Sequence, residues 1–472
     1  MRLDKATIIK RLKANLDLDV ATSKIMVVGL GVTGVSIALY LAKLEFDFVV
    51  ADSRKKLPDV GQLQEALANI AIYSGAFDEN LFSNASHLIV SPGIPMTDEV
   101  IAKAINNGVQ ITGDIDLFAC STDTPVITIT GSNGKSTVTT MLGEMADTAG
   151  IKAGVGGNLG VPALDLLEQA ADLYVLELSS FQLERTKVLN ATAATVLNVT
   201  ADHLDRHANI SDYAEQKQRI FIGDGVMVIN ADDPIVAAMQ EEGRRTLTFS
   251  IQQKADFWIG KELESEYLMH GEKPLLALSE LPLEGRHNAA NALAALALGS
   301  AIGLDEQAMC KALKTFKGLS HRMQRVAEIR GVVWVNDSKA TNIGACVAAL
   351  QGYDHKVILI AGGDAKGADM GELVPSIKEK AKSVVLMGKD AELIEQALNG
   401  CVPVYKAENM LQAVTIAASI AKPEDSVLLS PACASLDQYK NYQDRGDQFT
   451  AAVLGLLDDD ALVKFPAALA GS

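Results

Sequence analysis

The stretch from residue 126 to residue 145 constrains the fold most. Val126, Ile127, Thr128 and Ile129 suit a buried strand, Gly131 to Gly134 make a turn, and Lys135, Ser136 and Thr137 open a helix-compatible run to Met145. A strand, a glycine turn and a helix start bring backbone N–H groups to one point, where a phosphate accepts the hydrogen bonds that the helix itself cannot satisfy. Lys135 adds a mobile positive charge for the outer phosphates, and the Ser136 hydroxyl a ligand for Mg2+. Ile129 stands where the general phosphate-loop pattern has its first glycine, so this loop is a shortened one. The plain alternative is a glycine turn carrying a surface lysine, and the strand and helix on either side weigh against it.

At 472 residues the chain has room for several domains of roughly 150 residues each. Its net charge of −17, without a long Lys/Arg run, excludes non-specific nucleic-acid binding. An anionic substrate must then be held by local donors and Mg2+ against the overall field. Cys120, Cys310, Cys346, Cys401 and Cys433 are odd in number and scattered, which fits reduced thiols in a cytosolic protein and neither a disulfide frame nor a zinc site. The N-terminus is charged and lacks an apolar core segment, so export is not expected. Residues 291–304 are the most apolar stretch, too short for a bilayer and expected as a packed core helix.

The first hundred or so residues form an α/β pattern. A strand at 25–28 leads into Gly29, Gly31 and Gly34 and a helix expected over 35–44, and a second strand at 48–51 ends at Asp52, Ser53 and Arg54. This is a dinucleotide-type fingerprint with an acidic residue placed to meet a ribose or base; NAD, FAD and a UDP-sugar all fit it, and glycines serving only packing remain the alternative. A strand at 87–90 ends in a rigid turn, Ser91 to Pro95, at the same carboxyl edge.

A composition shift near Gly113 opens the next unit. Past the phosphate loop, residues 154–160 read as a flexible glycine loop carrying Asn158, and the strand 173–176 ends at Glu177, placed to reach Mg2+. A strand at 194–198 precedes Asp202, His203, Asp205 and Arg206, where His203 suits a metal ligand, an acid/base or a simple donor. Lys217, in a helical stretch, passes on its sequence for a surface lysine, and 251–276 for a peripheral hairpin. His287, Asn288 and Asn291 put imidazole and amides on one helical face, for adenine or for capping. From Gly318 strands at 332–335, 356–361, 383–387 and 426–430 alternate with helical stretches and indicate a second doubly wound sheet. The strands end in Gly, Ser, Lys, Asp or Thr, and the segment 430–442 suits a small acid's carboxylates. The tail, 457–472, is expected to be peripheral.

Several of these motifs, in this order, resemble the Mur ligases of peptidoglycan synthesis: residues 130–137, Glu177, Asp202 to Arg206, Arg286 to Ala289, Asn336 to Asn342 and Ser430 to Asp437. The resemblance covers nearly the whole chain, and Gly29 to Gly34, Asp52 to Arg54, Ser91 to Gly93 and the two C-terminal motifs point to the branch that adds D-glutamate. It implies an α/β fold of three domains in a bacterial cytoplasmic enzyme, expected as a monomer with no membrane span. These are an N-terminal Rossmann-like domain (1–113) for the UDP end, a central P-loop ATPase-like domain (114–318) and a C-terminal Rossmann-like domain (319–472) for the amino acid.

The chemistry it implies is ATP-dependent amide formation between UDP-N-acetylmuramoyl-L-alanine and D-glutamate through an acyl phosphate, releasing ADP and phosphate. By resemblance, Lys135, Glu177, His203 and Lys217 are catalytic; Ser136 and Glu177 hold one Mg2+, and His203 and a carbamylated Lys217 serve a second. ATP is expected on Gly131, Ser132, Asn133, Gly134, Lys135, Ser136, Thr137, Asn288, Asn291, Arg322 and Asp337. The UDP-substrate is expected on Gly31, Val32, Thr33, Asp52, Ser53, Arg54, Gly93, Asn158, Ser179 and Gln182, and D-glutamate on Lys339, Thr341, Lys366, Ser435, Leu436 and Tyr442. Ser136, where many relatives have Thr, and Tyr442 are small departures from the pattern. Among rivals, an NAD-dependent oxidoreductase leaves Lys135 without a purpose. A non-catalytic regulator would release no ADP in response to D-glutamate; nearer alternatives are another Mur ligase or a folylpolyglutamate synthase, and the latter would not be expected to carry the N-terminal unit.

Overall fold

Parallel strands covered on both faces need near-continuous apolar runs, and the runs singled out above take that form. A computed structural model of the chain describes residues 3–55, 70–203, 206–262, 264–283 and 285–458. Asp205 and tail residues 459–472 lie outside the described residues. Among these residues the strands build three sheets.

The first contains β1 (Ile25–Val28), β2 (Phe48–Asp52), β3 (Ile72–Ser74), β4 (His87–Val90) and β5 (Gln110–Thr112), all parallel, in the order β3-β2-β1-β4-β5. The order reverses between β1 and β4, so the loops leaving these two strands frame the crevice where ligands of such sheets bind. One face buries Ile37 and Leu41 of helix Val32–Lys43 with Val27 and Val50; the other buries Phe82, Ile101 and Ala104 with Met26 and Leu88. The helix begins at Val32, three residues earlier than its periodicity suggests.

The second sheet contains β6 (Val126–Thr130), β7 (Ala153–Gly157), β8 (Leu173–Glu177), β9 (Ala193–Val196), β10 (Val226–Asn230), β11 (Thr246–Ser250), β12 (Phe257–Glu262), β13 (Ser265–His270) and β14 (Lys273–Ala277). Their order is β14-β13-β12-β11-β10-β9-β6-β8-β7, parallel from β7 to β12 and antiparallel beyond. Two expectations change here. The glycine stretch taken for a flexible loop begins as the edge strand β7, and the expected single hairpin at 251–276 supplies three strands. Helix Arg286–Ala301 is the packed core helix, with Ala292 to Leu298 fully buried. The core of the first sheet runs on into the second through Ile115, Phe118, Tyr174 and Leu176. Met1–Val199, Asn209–Pro282 and Ala289–Phe316 therefore make one compact unit.

The other unit comprises Thr200–Ala208, Leu283–Asn288 and Lys317–Ser472. Its sheet contains β15 (Gln324–Ile329), β16 (Val332–Asn336), β17 (Val357–Ala361), β18 (Ala381–Leu386), β19 (Val404–Lys406) and β20 (Ser426–Leu429) in the order β15-β16-β20-β17-β18-β19. Only β15 runs antiparallel to its neighbour. Apolar clusters cover both faces, one around Leu359, Leu373 and Ile377 and the other around Trp334, Ile360 and Phe449. No helix among the described residues is long and apolar enough to cross a membrane.

Candidate active site

The phosphate loop leaves β6 in the interior of its sheet, between β9 and β8, and passes into helix Lys135–Thr148. Gly131 (φ 155°) and Gly134 (φ 85°) take the positive backbone angles the turn requires. Two of the loop's amides are used within the fold: Ser132 N–H donates to the Asn198 carbonyl (2.9 Å) and Asn133 N–H to Asn198 Oδ1 (2.8 Å). Asn198 Nδ2 returns a bond to the Asn133 carbonyl at 3.1 Å, so one amide side chain clamps the turn from below. At the helix start that follows, the first amides have no intrahelical acceptor, the arrangement that suits an anion. Lys135 Nζ folds over the loop and donates to the carbonyls of Gly131 (2.7 Å) and Ser132 (2.9 Å). Asn291 lies against the same turn, since a Cβ on Gly134 would fall 2.4 Å from its Oδ1.

Glu177 ends β8 beside Ile129 of β6 and is buried. The edge strand β7 delivers Asn158 to it: Asn158 N–H donates to the Glu177 carbonyl (2.8 Å) and Nδ2 to Oε1 (2.6 Å). This close approach needs Gly157, whose φ is 96° and where a Cβ would sit 2.4 Å from the Glu177 carbonyl oxygen. Lys217, expected at the surface, is instead 1% exposed. Helix Ile210–Gln218, capped by Asn209, turns it inward, where Nζ donates to the Gly131 carbonyl at 2.9 Å and lies 4.3 Å from the Tyr213 ring centre. A buried ammonium demands such acceptors, and here they belong to the phosphate loop.

At the mouth of the first sheet, Val32 is exposed and a Cβ on Gly31 would meet nothing within 4 Å. Asp52 faces inward and is buried: its carboxylate accepts from the Leu30 amide (2.7 Å) and from Arg54 Nε (2.8 Å) and Nη2 (2.7 Å). The Arg54 bonds are the main reason its pKa is held down to about 2. The Asp52 carboxylate thus aims Arg54 and fixes the glycine turn. Gln182 is likewise engaged at both ends, Oε1 accepting from Ser179 N–H (3.1 Å) and Nε2 donating to Asp114 Oδ2 (2.8 Å).

The other unit carries Asp337 and the amino-acid candidates after β16, β17 and β20, and His203, Asn288 and Arg322 on other segments. Asp337 Oδ2 accepts from Ser430 Oγ (2.9 Å) and Oδ1 from the Met323 amide (3.3 Å), and burial pushes its carboxyl up to about 7. Arg445, 1% exposed, ties two loops to helix Tyr442–Asp458 through Ser338 Oγ (3.0 Å), the Ser338 carbonyl (2.8 Å) and the Cys433 carbonyl (3.1 Å). Lys339 Nζ lies 3.9 Å from the centre of the Tyr442 ring. Lys366 holds a positive φ of 50°, its amide donating to Asp364 Oδ1 (2.9 Å). Ser435 is buried beside Leu436, which is 72% exposed. Asp202 accepts from Asn342 Nδ2 (3.0 Å) and from the amide of His203, whose φ is 56°. Burial, then the Arg322 charge, pull His287 down to about 4, which keeps its imidazole neutral near pH 7.

One unit thus holds Lys135, Ser136, Glu177, Asn158, Lys217 and Asn291 together with the first sheet's candidates. His203, Asn288, Arg322, Asp337 and the amino-acid candidates belong to the other. Asn198, Asp114, Arg185 and Arg445 escaped the sequence reading. The amide of Asn198 at a strand end, next to the loop strand, was the one available signal.

The fold defines an α/β protein of three domains in chain order, the central one carrying a strand, glycine turn and helix start, with a Rossmann-like domain before it and another after it in the sequence. Family models match in the same order: "Mur ligase MurD-like, N-terminal domain" over residues 23–113, "Mur ligase middle domain" over 129–299 and "Mur ligase, glutamate ligase domain" over 321–433. The chain belongs to the Mur ligase family of ATP-dependent ligases. It is 51% identical over 443 residues to the UDP-N-acetylmuramoylalanine–D-glutamate ligase of Methylococcus capsulatus, covering 93% of this chain and 96% of that one. It is 47% identical to the ligase of the same name from Marinobacter nauticus, covering 93% and 99%. In fold it is similar to a pseudomurein peptide ligase type C from Methanothermus fervidus, with a TM-score of 0.62 at 19% identity over 92% of this chain and all of that one.

Proposed function

We propose that this chain joins D-glutamate to UDP-N-acetylmuramoyl-L-alanine at the expense of ATP, in the bacterial cytoplasm. The observation that carries the reading is the convergence of Lys135 and the buried Lys217 on the Gly131 carbonyl, beside the Glu177 strand end. The chain's curated relatives are named for this reaction.

A carboxylate is a poor acyl donor because its oxygen will not leave. One L-alanyl carboxylate oxygen attacks the terminal phosphorus of ATP and ADP departs. The D-glutamate amine then attacks the acyl carbon, phosphate leaves with the bridging oxygen, and the amine gives up a proton. Phosphoryl transfer asks for neutralisation and alignment more than covalent help. Lys135 and the helix N-terminus supply the positive side of that field, with Asn288, Asn291, Arg322 and Asp337 holding adenine and ribose. Arg54, oriented by Asp52, meets the UDP end together with residues 31–33, Ser53 and Gly93, and Asn158 and Ser179 guide the acyl end. Lys339, Thr341, Lys366, Ser435, Leu436 and Tyr442 receive D-glutamate.

Among the described residues no three His, Cys, Asp or Glu side chains cluster as a metal site. That suits Mg2+, which binds one or two protein oxygens and takes its remaining ligands from phosphate and water. Ser136 and the buried Glu177 fit such a set, and His203 and Lys217 serve a second ion once Lys217 is carbamylated. Bound there, Mg2+ neutralises charge on the phosphates. The carbamate would convert a cation into a metal-binding anion.

ADP release is measured with the nucleotide substrate and D-glutamate, L-glutamate, L-alanine or meso-diaminopimelate. The expected result is release with D-glutamate alone, and a fall of roughly a thousandfold in Lys135→Ala. Release independent of the amino acid, or an active Lys135→Ala, sinks the reading. An active enzyme whose Lys217 takes no isotope from labelled bicarbonate removes the carbamate and leaves the rest.

A further inference from the structure

Arg185 is a buried guanidinium outside every role assigned above. It follows helix Ser180–Leu183 of the central domain, yet its head crosses to the first domain, Nη1 donating to the Ser91 carbonyl (3.3 Å) and Nη2 to the Ile94 carbonyl (2.9 Å). Its side chain is wholly buried, and its aliphatic stem lies on Gly113, where a Cβ would meet Cγ at 3.1 Å. The turn it grips stands on the dinucleotide-type loop. Ser91 N–H donates to the Val28 carbonyl (2.9 Å), and a Cβ on Gly29 would strike Ile94 Cγ1 at 2.8 Å. Around it, Asp114 is buried and takes Gln182 Nε2 on one oxygen, while the other accepts no hydrogen bond. Glu184 lies 3.4 Å from Nη2.

We infer that Arg185 is a positioning residue for the nucleotide substrate: it holds the turn 91–95, one wall of the crevice beside Gly29 to Gly34, in register with the Ser179–Gln182 segment of the central domain. The inference rests on the proposed function, in which the UDP end lies in that crevice and the acyl end beside Ser179. Two carbonyls aligned by one planar fork fix both the height and the tilt of the turn, which a point charge cannot do. The guanidinium opposes the negative charge of Asp114, whose burial pushes its carboxyl up to about 6.

Steady-state kinetics and hydrogen exchange of Arg185→Met and Arg185→Lys test this. Loss of the fork should raise KM for UDP-N-acetylmuramoyl-L-alanine about tenfold, with kcat and the KM of ATP and of D-glutamate within about twofold, and Lys should recover part of the loss. Exchange at 91–95 should quicken without a general change. If Arg185→Met does not fold, Gly113→Ala, which pushes the stem aside and keeps the charge, should give the same KM pattern in weaker form. An unchanged KM for the nucleotide, a parallel rise in all three KM values, or a fall in kcat alone overturns the inference. Failure of the proposed function looks different: the wild type itself shows no D-glutamate-dependent release. In that case exchange at 91–95 still decides whether Arg185 pins the turn.

Discussion

Asp337 is buried against Ser430 and the Met323 amide, with the charges of Arg322 and Arg445 acting on it, and desolvation outweighs both cations to push its carboxyl up to about 7. A group whose pKa is raised on folding keeps its proton in the native state after the unfolded chain has lost it. Its contribution to stability is complete below the unfolded value of 3.8 and disappears as pH rises through about 7. Asp337→Asn cannot titrate, so the wild type should lose stability relative to it between about pH 4 and pH 7, by at most about 4 kcal/mol. Denaturant unfolding of both proteins across that range checks this, and identical pH slopes would refute it. Asp337 drew notice in the sequence as part of a motif, but its protonation depends on neighbours more than ten positions away. Lys217 shows the same limit. Its helix is charged and only weakly patterned, and nothing local tells that Nζ ends on the Gly131 carbonyl. Conversely Lys135 was legible, because strand, turn and helix lie consecutively in the chain.

At the scale of the element, the glycines of the first βα turn divide into two kinds. Gly34 lies where a Cβ would collide with the Gly29 carbonyl oxygen at 1.8 Å, whereas Gly31 opens on nothing within 4 Å. Gly34→Ala must therefore push helix Val32–Lys43 off β1 and should cost about 1–3 kcal/mol. Gly31→Ala should leave stability nearly unchanged and, under the proposed function, weaken only binding of the nucleotide substrate. Thermal unfolding and KM measured on both variants separate packing from binding, and equal destabilisation of the two would refute the division. Such packing also explains which elements the sequence exposes. β1, β4, β6, β8, β17 and β20 are sandwiched between layers and must be largely apolar, so runs rich in Val, Ile and Leu betray them. β7 is an edge strand made largely of glycine, required by the approach to Glu177, and glycine signals loop more readily than strand. The hairpins of β12 to β14 are half exposed and charged, which blurs their alternation.

For the molecule as a whole, three alternating strand–helix patterns sufficed to anticipate three α/β domains, since each sheet closes on its own segment of chain. The partition of the site was not legible. His203 and Lys217 are fourteen residues apart in the sequence, yet one belongs to the unit of the third sheet and the other to the unit of the first two. A compact unit is defined by packing, and a short excursion such as Thr200–Ala208 leaves its neighbours without any mark in composition. Net charge, by contrast, is a property that the sequence gives outright. At −17 the overall field opposes a substrate carrying a diphosphate and a carboxylate, and under the proposed function the cations that meet it are local: Arg54 at the mouth of the first sheet and Lys135 over its loop. Salt screens the distant repulsion first, because its range shrinks to about 10 Å near 0.1 M, while contacts made at hydrogen-bond distance inside a crevice are screened far less. At constant Mg2+, kcat/KM for the nucleotide substrate should thus hold level or rise by up to about twofold as monovalent salt goes from about 0.02 to 0.1 M. A protein that steers its anionic ligand by an attractive long-range field shows a steep fall over the same interval. If that fall were observed here, capture would depend on a positive surface reaching well beyond these side chains, and the charge balance argued from the sequence would not govern the encounter.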